Sequence, residues 1–449
     1  MPEQIQRVVA MSKPLAYKGD GDVADIRYIP GRTLAGIHRT EGGIFVLPDY
    51  PDVRTYANQL DQIRHTLMLR GAAEPELVYI PPTDEILDIS IRQNIQLVEE
   101  RLNKNNHHIL LPYSHTDENE AWMQDLRERG IPIDAAIALK SENLESIDNR
   151  GGWGHHVWDP DFVPAPERVH IPYPVSWIGR TVEEATEAYQ RVADQTGDPR
   201  VQLKGVFSAG GFVNVTVTSV EDVVREYTTF SQHGALGHSG AVELQGFIPD
   251  LDPEKGIFSL QYSTDSFHRH IIDTPGGVGT QILDHHNEWI GNRFNDPHLV
   301  QQYGGASHEL FDQVSAVLNG SAAKGGLDIG ATRTTKSGLV VIEHNAKRMT
   351  GAHPAIELMQ ALGVPSDMPA VSKKCEREIQ CDLATLWEVL EQSGHAFDPV
   401  TKTGIFPMCW MNGQYGMLMA FGPVESTQVL EKQIDQVYNH LARVGLVGA

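Results

Sequence analysis

At 449 residues the chain is long enough for about three domains of ordinary size and can bury real hydrophobic cores. Its 41% hydrophobic and 21% charged residues exclude wholesale disorder, and 36 Lys+Arg against 59 Asp+Glu give a formal charge of −23 that repels nucleic-acid backbones and anionic lipid. Three cysteines, Cys375, Cys381 and Cys409, are too few for a disulfide framework or a four-thiolate zinc site. No run approaches the ~18 apolar residues of a spanning helix, so a cytoplasmic protein that binds neither nucleic acid nor membrane is expected. An anionic ligand such as a nucleotide would then need a local basic pocket or a bound cation.

The first third alternates apolar runs with helical periodicity. GGIFVLPDY, ELVYIPP and HHILLPY read as buried strands, while EILDISIRQNIQLVEERLNK and ENEAWMQDLRERG read as amphipathic helices, the second ended by Gly130. Strand and helix taking turns predicts an α/β layer with a parallel sheet. A Gly-, Pro- and Trp-rich stretch then marks a boundary near 165–175.

Beyond it, Thr181 with Glu184 caps one helix and Ser219 with Asp222 a second. Between them lie the β-rich runs RVQLKGVFS and FVNVTVT, joined by Ala209, Gly210 and Gly211. A dinucleotide fold sets its glycine turn between strand and helix, whereas here the glycines join two strands. The loop is a hairpin flap able to fold backbone N–H groups over a triphosphate, with Lys204 on the strand leading in. Taken alone, SAGGF is also compatible with a surface hairpin beside an exposed lysine.

AVELQGFIP and IFSLQY are the next strands, separated by the acidic turn DLDPEKG. TPGGVGTQILDHHNEWIGNRFNDP is long, Gly-rich and without period, which favours a mobile lid or an ordinary surface excursion. ELFDQVSAVLNGS reads as a helix, and GGLDIGATRTTKSGLVVIEHN as a strand hairpin with Asp328 on its first strand. Glu343 and Asn345, two apart on the second strand, share a face. Two carboxylates and an amide oxygen form the hard donor set that magnesium prefers, although a solvated polar face would look the same. In the C-terminal part, Met408, Met411, Met417 and Met419 could line a pocket, but such density more often fills a core.

The order of lysine strand, Gly flap, apolar hinge with trailing acids, Asp and ExN resembles the ATP-grasp superfamily over roughly residues 175–360. The ending IEHNAKRMTG is similar to that of the amino-acid and peptide ligases of specialised metabolism, the pheganomycin type among them. The resemblance implies an α/β pre-ATP-grasp domain over 1–170, a two-lobed α+β ATP-grasp domain over 171–365 and a small C-terminal domain over 366–449. It assigns ATP phosphates to Lys204 and to the flap of Ser208, Gly210 and Gly211, with Arg150 where a second nucleotide lysine is usual. Gln245, Phe247 and Ile248 become the adenine hinge, Asp252 the ribose contact, and Asp328, Glu343 and Asn345 the ligands of Mg²⁺ or Mn²⁺. Arg348 matches the arginine for the acyl substrate, one place displaced by Lys347, and Arg333 and Arg293 are further candidates. Two departures stand out: Val213 occupies the place of a frequent third flap glycine, and Gln245-Gly246 replaces a common Glu pair, with Glu243 shifted by two.

The activity implied is ATP-dependent joining of a small carboxylic acid to an amine, amino acid or peptide through an acylphosphate, with a homodimer as the self-association considered. A biotin-carboxylase-like activity and a non-catalytic nucleotide-binding protein are the alternatives.

Overall fold

The structure, a computed structural model, describes residues 5–10, 44–67, 76–83, 87–112, 117–135, 173–205, 214–232, 236, 240–248, 257–264, 270–272, 279–284, 289–318, 324–332, 338–345, 352–413 and 416–448. Strands β1 (Ile5–Ala10), β2 (Ile44–Pro48), β3 (Glu76–Ile80), β4 (His107–Pro112) and β5 (Ile133–Ala135) form a sheet in the order β3-β2-β1-β4-β5. All four pairings are parallel, as the alternation of strand and helix predicts. Successive side chains of β2 serve both faces. Ile44 and Val46 pack with Trp122 and Leu126 of helix Asp117–Glu128, while Phe45 and Leu47 pack with helix Pro51–Thr66 and the C-terminal core. The run from 87 to 99 is two helices, Leu87–Gln93 and Ile95–Glu99; Asn94 leaves helical geometry (φ −120, ψ 32) while its amide donates to the Ser90 carbonyl.

A second, antiparallel sheet has the order β6-β9-β7-β8, from β6 (Ser176–Gly179), β7 (Val201–Gly205), β8 (Asn214–Val217) and β9 (Val242–Gly246). Val201, Leu203, Val242 and Leu244 turn to helices Val182–Thr196 and Val220–Gln232. Both helices begin as the capping pattern predicts: Glu184 N–H donates to Thr181 Oγ1 (3.2 Å) and Asp222 N–H to Ser219 Oγ (3.1 Å). The alternate residues Gln202, Lys204, Glu243 and Gln245 share the opposite face.

The third sheet runs β15-β14-β10-β12-β13-β16-β18-β17, with β11 (His270–Ile272) beside β10. Its strands are β10 (Ile257–Thr264), β12 (Gly279–Leu283), β13 (Trp289–Phe294), β14 (Lys324–Ala331), β15 (Leu339–Asn345), β16 (Ala370–Lys374), β17 (Gly404–Trp410) and β18 (Gly416–Phe421). The Gly-rich segment read as a lid contains β12 and β13, an antiparallel pair inside this sheet, so that expectation is corrected. Gly291 serves close approach: a Cβ there would lie 2.1 Å from the Ser372 carbonyl oxygen of β16. Helix Pro297–Leu318 begins twelve residues before the apolar run that signals it, opened by Asn295-Asp296-Pro297.

Met408, Met411, Met417 and Met419 are all buried in the largest core with Phe406, Trp410 and Phe421, so the methionines fill a core instead of lining a pocket. Each such side chain stabilises the fold by ~1.5–3 kcal/mol. Burial pushes the thiols of Cys375 and Cys381 up, away from the reactive thiolate. Among the described residues no helix is long and apolar enough to cross a membrane.

Candidate functional site

Asp328 and Glu343 are register partners on β14 and β15, two carboxylates directly across one antiparallel pair. Like charges so placed destabilise a sheet unless a cation lies between them. Two donors meet on one oxygen of Asp328: Ser259 Oγ donates to its Oδ1 at 3.0 Å and Gln281 Nε2 at 2.9 Å. Gln261 Nε2 donates in turn to Ser259 Oγ at 2.6 Å. Ser259, Gln261 and Ser263 alternate along β10 with Phe258, Leu260 and Tyr262, a period-2 polar signal that marks a functional face and went unread in the sequence.

The ladder of β14 and β15 slips between Asp328 and Ile329, leaving Ile342 as the extra residue of a bulge. Its carbonyl accepts from Lys204 Nζ (3.4 Å) and from Gln245 Nε2 (3.1 Å), both on the second sheet. Lys204 Nζ also donates to Gln245 Oε1 at 2.6 Å. The two sheets thus meet one residue from Glu343, with a buried ammonium at the junction. Lys204 is 3% exposed and Gln245 2%, so this lysine is no surface side chain.

The cross-strand pair fits a divalent cation that draws on oxygen ligands, and Asn345 ends the same strand opposite Gly326. Among the described residues there is no cluster of three or more His, Cys, Asp or Glu, so such a cation would take further oxygens from a bound ligand or water. The buried ammonium fits an anion.

Phe247 and Ile248 directly follow β9 and are half-buried. The Phe247 ring already carries the Arg200 guanidinium on one face, 4.4 Å from its centroid. Gly246, just before it, lets β9 pass close to the end of helix Val182–Thr196, since a Cβ there would lie 2.9 Å from Thr196 Cγ2.

Arg293 is placed elsewhere, and its expected role as an arginine for the acid is corrected. Ile329, Phe258, Thr280, Arg293 and Val371 are successive register partners, whereas Asp328 belongs to the adjacent row with Ser259 and Gly279. Strand alternation therefore sends Arg293 to the other face of the sheet. There its Nη2 and Nε donate to Glu431 Oε2 of helix Thr427–Arg443 at 2.6 and 2.9 Å. Lys373 Nζ joins the same cluster through Glu431 Oε1 at 3.3 Å and also donates to Asp435 Oδ1 at 2.7 Å. Ser208, Gly210, Gly211, Arg150, Asp252, Arg333 and Arg348 lie outside the described residues.

A scan against protein-family models gives no match, and no curated protein matches the sequence. Solved structures do match in fold. The biotin carboxylase of Campylobacter jejuni, in its β-γ-ATP complex, superposes with a TM-score of 0.56 at 11% identity, covering 93% of this chain and 88% of that one. The biotin carboxylase domain dimer of Hydrogenobacter thermophilus 2-oxoglutarate carboxylase, with MgADP and bicarbonate, gives 0.55 at 15%, covering 96% and 89%. N5-carboxyaminoimidazole synthetase from Staphylococcus aureus, with ADP, gives 0.55 at 10%, covering 98% and 97%. The chain has the fold of these enzymes, an N-terminal α/β layer, two lobes with the paired carboxylates near their junction, and a C-terminal unit continuing the larger lobe's sheet.

Proposed function

We propose that the chain is an ATP-dependent carboxylate-amine ligase, working through an acylphosphate and releasing ADP and phosphate. The observation that carries the reading is the convergence of Lys204 and Gln245 on the Ile342 carbonyl, one residue from Glu343 and across from Asp328. A cation-binding carboxylate pair beside a buried ammonium is the equipment needed to hold and neutralise a polyphosphate.

In this reading Lys204 binds phosphate oxygens and the flap of Ser208, Gly210 and Gly211 covers them. Gln245, Phe247 and Ile248 contact adenine, Asp252 the ribose, and Arg150 a phosphate. Asp328, Glu343 and Asn345 would hold Mg²⁺, which supplies charge neutralisation at the transferring phosphoryl group. A carboxylate oxygen of the acid attacks the γ-phosphorus as the bond to the ADP oxygen breaks. The amine then attacks the acyl carbon, loses a proton and expels phosphate. Arg348 is the first choice to orient the acid through its bidentate fork, with Arg333 second. We assign the units to 1–170, 171–365 and 366–449 and take the acid and amine to be amino acids or peptides, in keeping with the NAKR-M-TG ending. The likeness to carboxylases favours a second reading, in which bicarbonate is the acid.

ADP and phosphate release, screened over amino acids, peptides and bicarbonate with amine partners and mass spectrometry of products, separates the two readings. Glu343→Gln should abolish ADP formation with every acid, and Arg348→Ala should raise the acid's KM or uncouple ADP formation from amide formation. Both variants working at the parent rate would refute the site.

A further inference from the structure

Lys204 and Glu243 are register partners on β7 and β9, on the face turned away from the packing helices. Both are buried, at 3% and 0% exposure. The Tyr173 hydroxyl donates to Glu243 Oε1 at 2.8 Å, and Tyr173 belongs to the larger lobe's core with Phe258 and Leu260. Glu243 is thus held from the opposite lobe while it faces the lysine. Lys204 donates to the Gln245 amide oxygen and the Ile342 carbonyl, neither of which carries a charge. A buried charge is costly unless an opposite one faces it.

We infer that Glu243 is a positioning residue that balances Lys204 in the nucleotide-free protein and competes with the nucleotide's phosphates for it, so that it sets how readily ADP leaves. The inference rests on the nucleotide reading above. When phosphate reaches Lys204, the carboxylate stays behind as a buried negative charge near an anion. Repulsion then weakens the hold on ADP. The two-residue displacement of this glutamate from the hinge puts it over the lysine instead of at the adenine edge.

The test is calorimetry on the full chain with ADP and with adenosine as separate probes. Glu243→Gln should bind ADP about tenfold tighter, the order expected from removing one unit charge within ~10 Å of the phosphates at an effective dielectric of ~20. Adenosine affinity should not change, and Glu243→Asp, which keeps the charge, should stay near the parent. In turnover, KM for ATP and kcat should fall together as product release slows. A purely structural glutamate would loosen binding of both probes, and equal or weaker ADP binding by a folded Glu243→Gln overturns the inference. Should Glu243→Gln not fold, Lys204→Gln/Glu243→Gln decides. Lacking either buried charge, it should melt above both single variants, and a double variant less stable than Lys204→Gln refutes the charge pair. Failure of the parent to bind ADP would instead sink the nucleotide reading, and the melting comparison would still judge the pair.

Discussion

Gln281 offers the sharpest test of the carboxylate pair, because it touches Asp328 without being a ligand. Replacing it by leucine keeps nearly the same volume and removes the 2.9 Å bond to Asp328 Oδ1, leaving Ser259 Oγ at 3.0 Å as the second donor on that oxygen. A hydrogen bond to a charged acceptor contributes ~1.5–3 kcal/mol, and loss of a group that orients a metal ligand costs ~10–100-fold in metal affinity. Ser259 still holds that oxygen, so Gln281→Leu should sit at the lower end, with about tenfold more Mg²⁺ needed for half-maximal ADP formation. Ser259→Ala/Gln281→Leu should approach a hundredfold, falling short of the product of the singles because both donors share one oxygen. The assay is ADP release against free Mg²⁺ at saturating ATP and acid, with melting curves to confirm folding. A Mg²⁺ requirement unchanged in the folded double variant would refute the view that Asp328 acts through a carboxylate turned by these donors.

Asp296 accepts from the His298 and Leu299 N–H groups and from the N–H and hydroxyl of Thr427, so one carboxylate caps the starts of two helices. Asp296→Ala should cost about 2–3 kcal/mol in urea unfolding, two caps plus a stranded hydroxyl. Burial pushes the Asp296 carboxyl up, but these hydrogen bonds outweigh it and hold the group below its ordinary 3.8. A depressed folded value gives stability that is present above the unfolded value of ~3.9 and lost as pH falls through the folded one. The gap between parent and variant should accordingly be full at neutral pH and close in acid, and a gap that persists at low pH would contradict the cap. Arg293→Gln should leave the acid's KM unchanged and cost about 1–2 kcal/mol through the half-buried Glu431, so a selective rise in that KM would restore Arg293 to the site.

Much of the fold was legible because its signals are local. Thr181 with Glu184 and Ser219 with Asp222 cap helices through contacts three residues apart, and the apolar runs of β2, β3 and β4 are buried whatever covers them. The cross-strand placement of Asp328 and Glu343 follows from hairpin pairing, again short in sequence. Long-range features were hidden. Nothing in WIGNRF announces that its edge partner is AVSKK, so a Gly-rich strand pair looked like a lid and Arg293 like a substrate ligand. The role of Gln281 depends on β12 lying next to β10, and that of the Ile342 carbonyl on a one-residue bulge, which side-chain patterns do not encode. β1 escaped notice too, because IQRVVA carries Gln and Arg among its apolar residues.

The pairing of β13 with β16 also governs the order in which the molecule can be completed. Gly291 meets Lys373 and Phe294 meets Ala370, with helix Pro297–Leu318, the hairpin of β14 and β15 and helix Ala352–Leu362 intervening. On the ribosome, at ~5–20 residues per second, β13 emerges seconds before the strand that will cover its edge. Through that interval the nascent chain presents an open row of amide and carbonyl groups beside apolar Ile290 and Phe294, the kind of edge that templates aggregation. The carboxylate hairpin can form during synthesis, but closure of the sheet that carries it waits for the C-terminal strands, and a nascent chain halted after residue 365 should depend on a chaperone to stay monomeric.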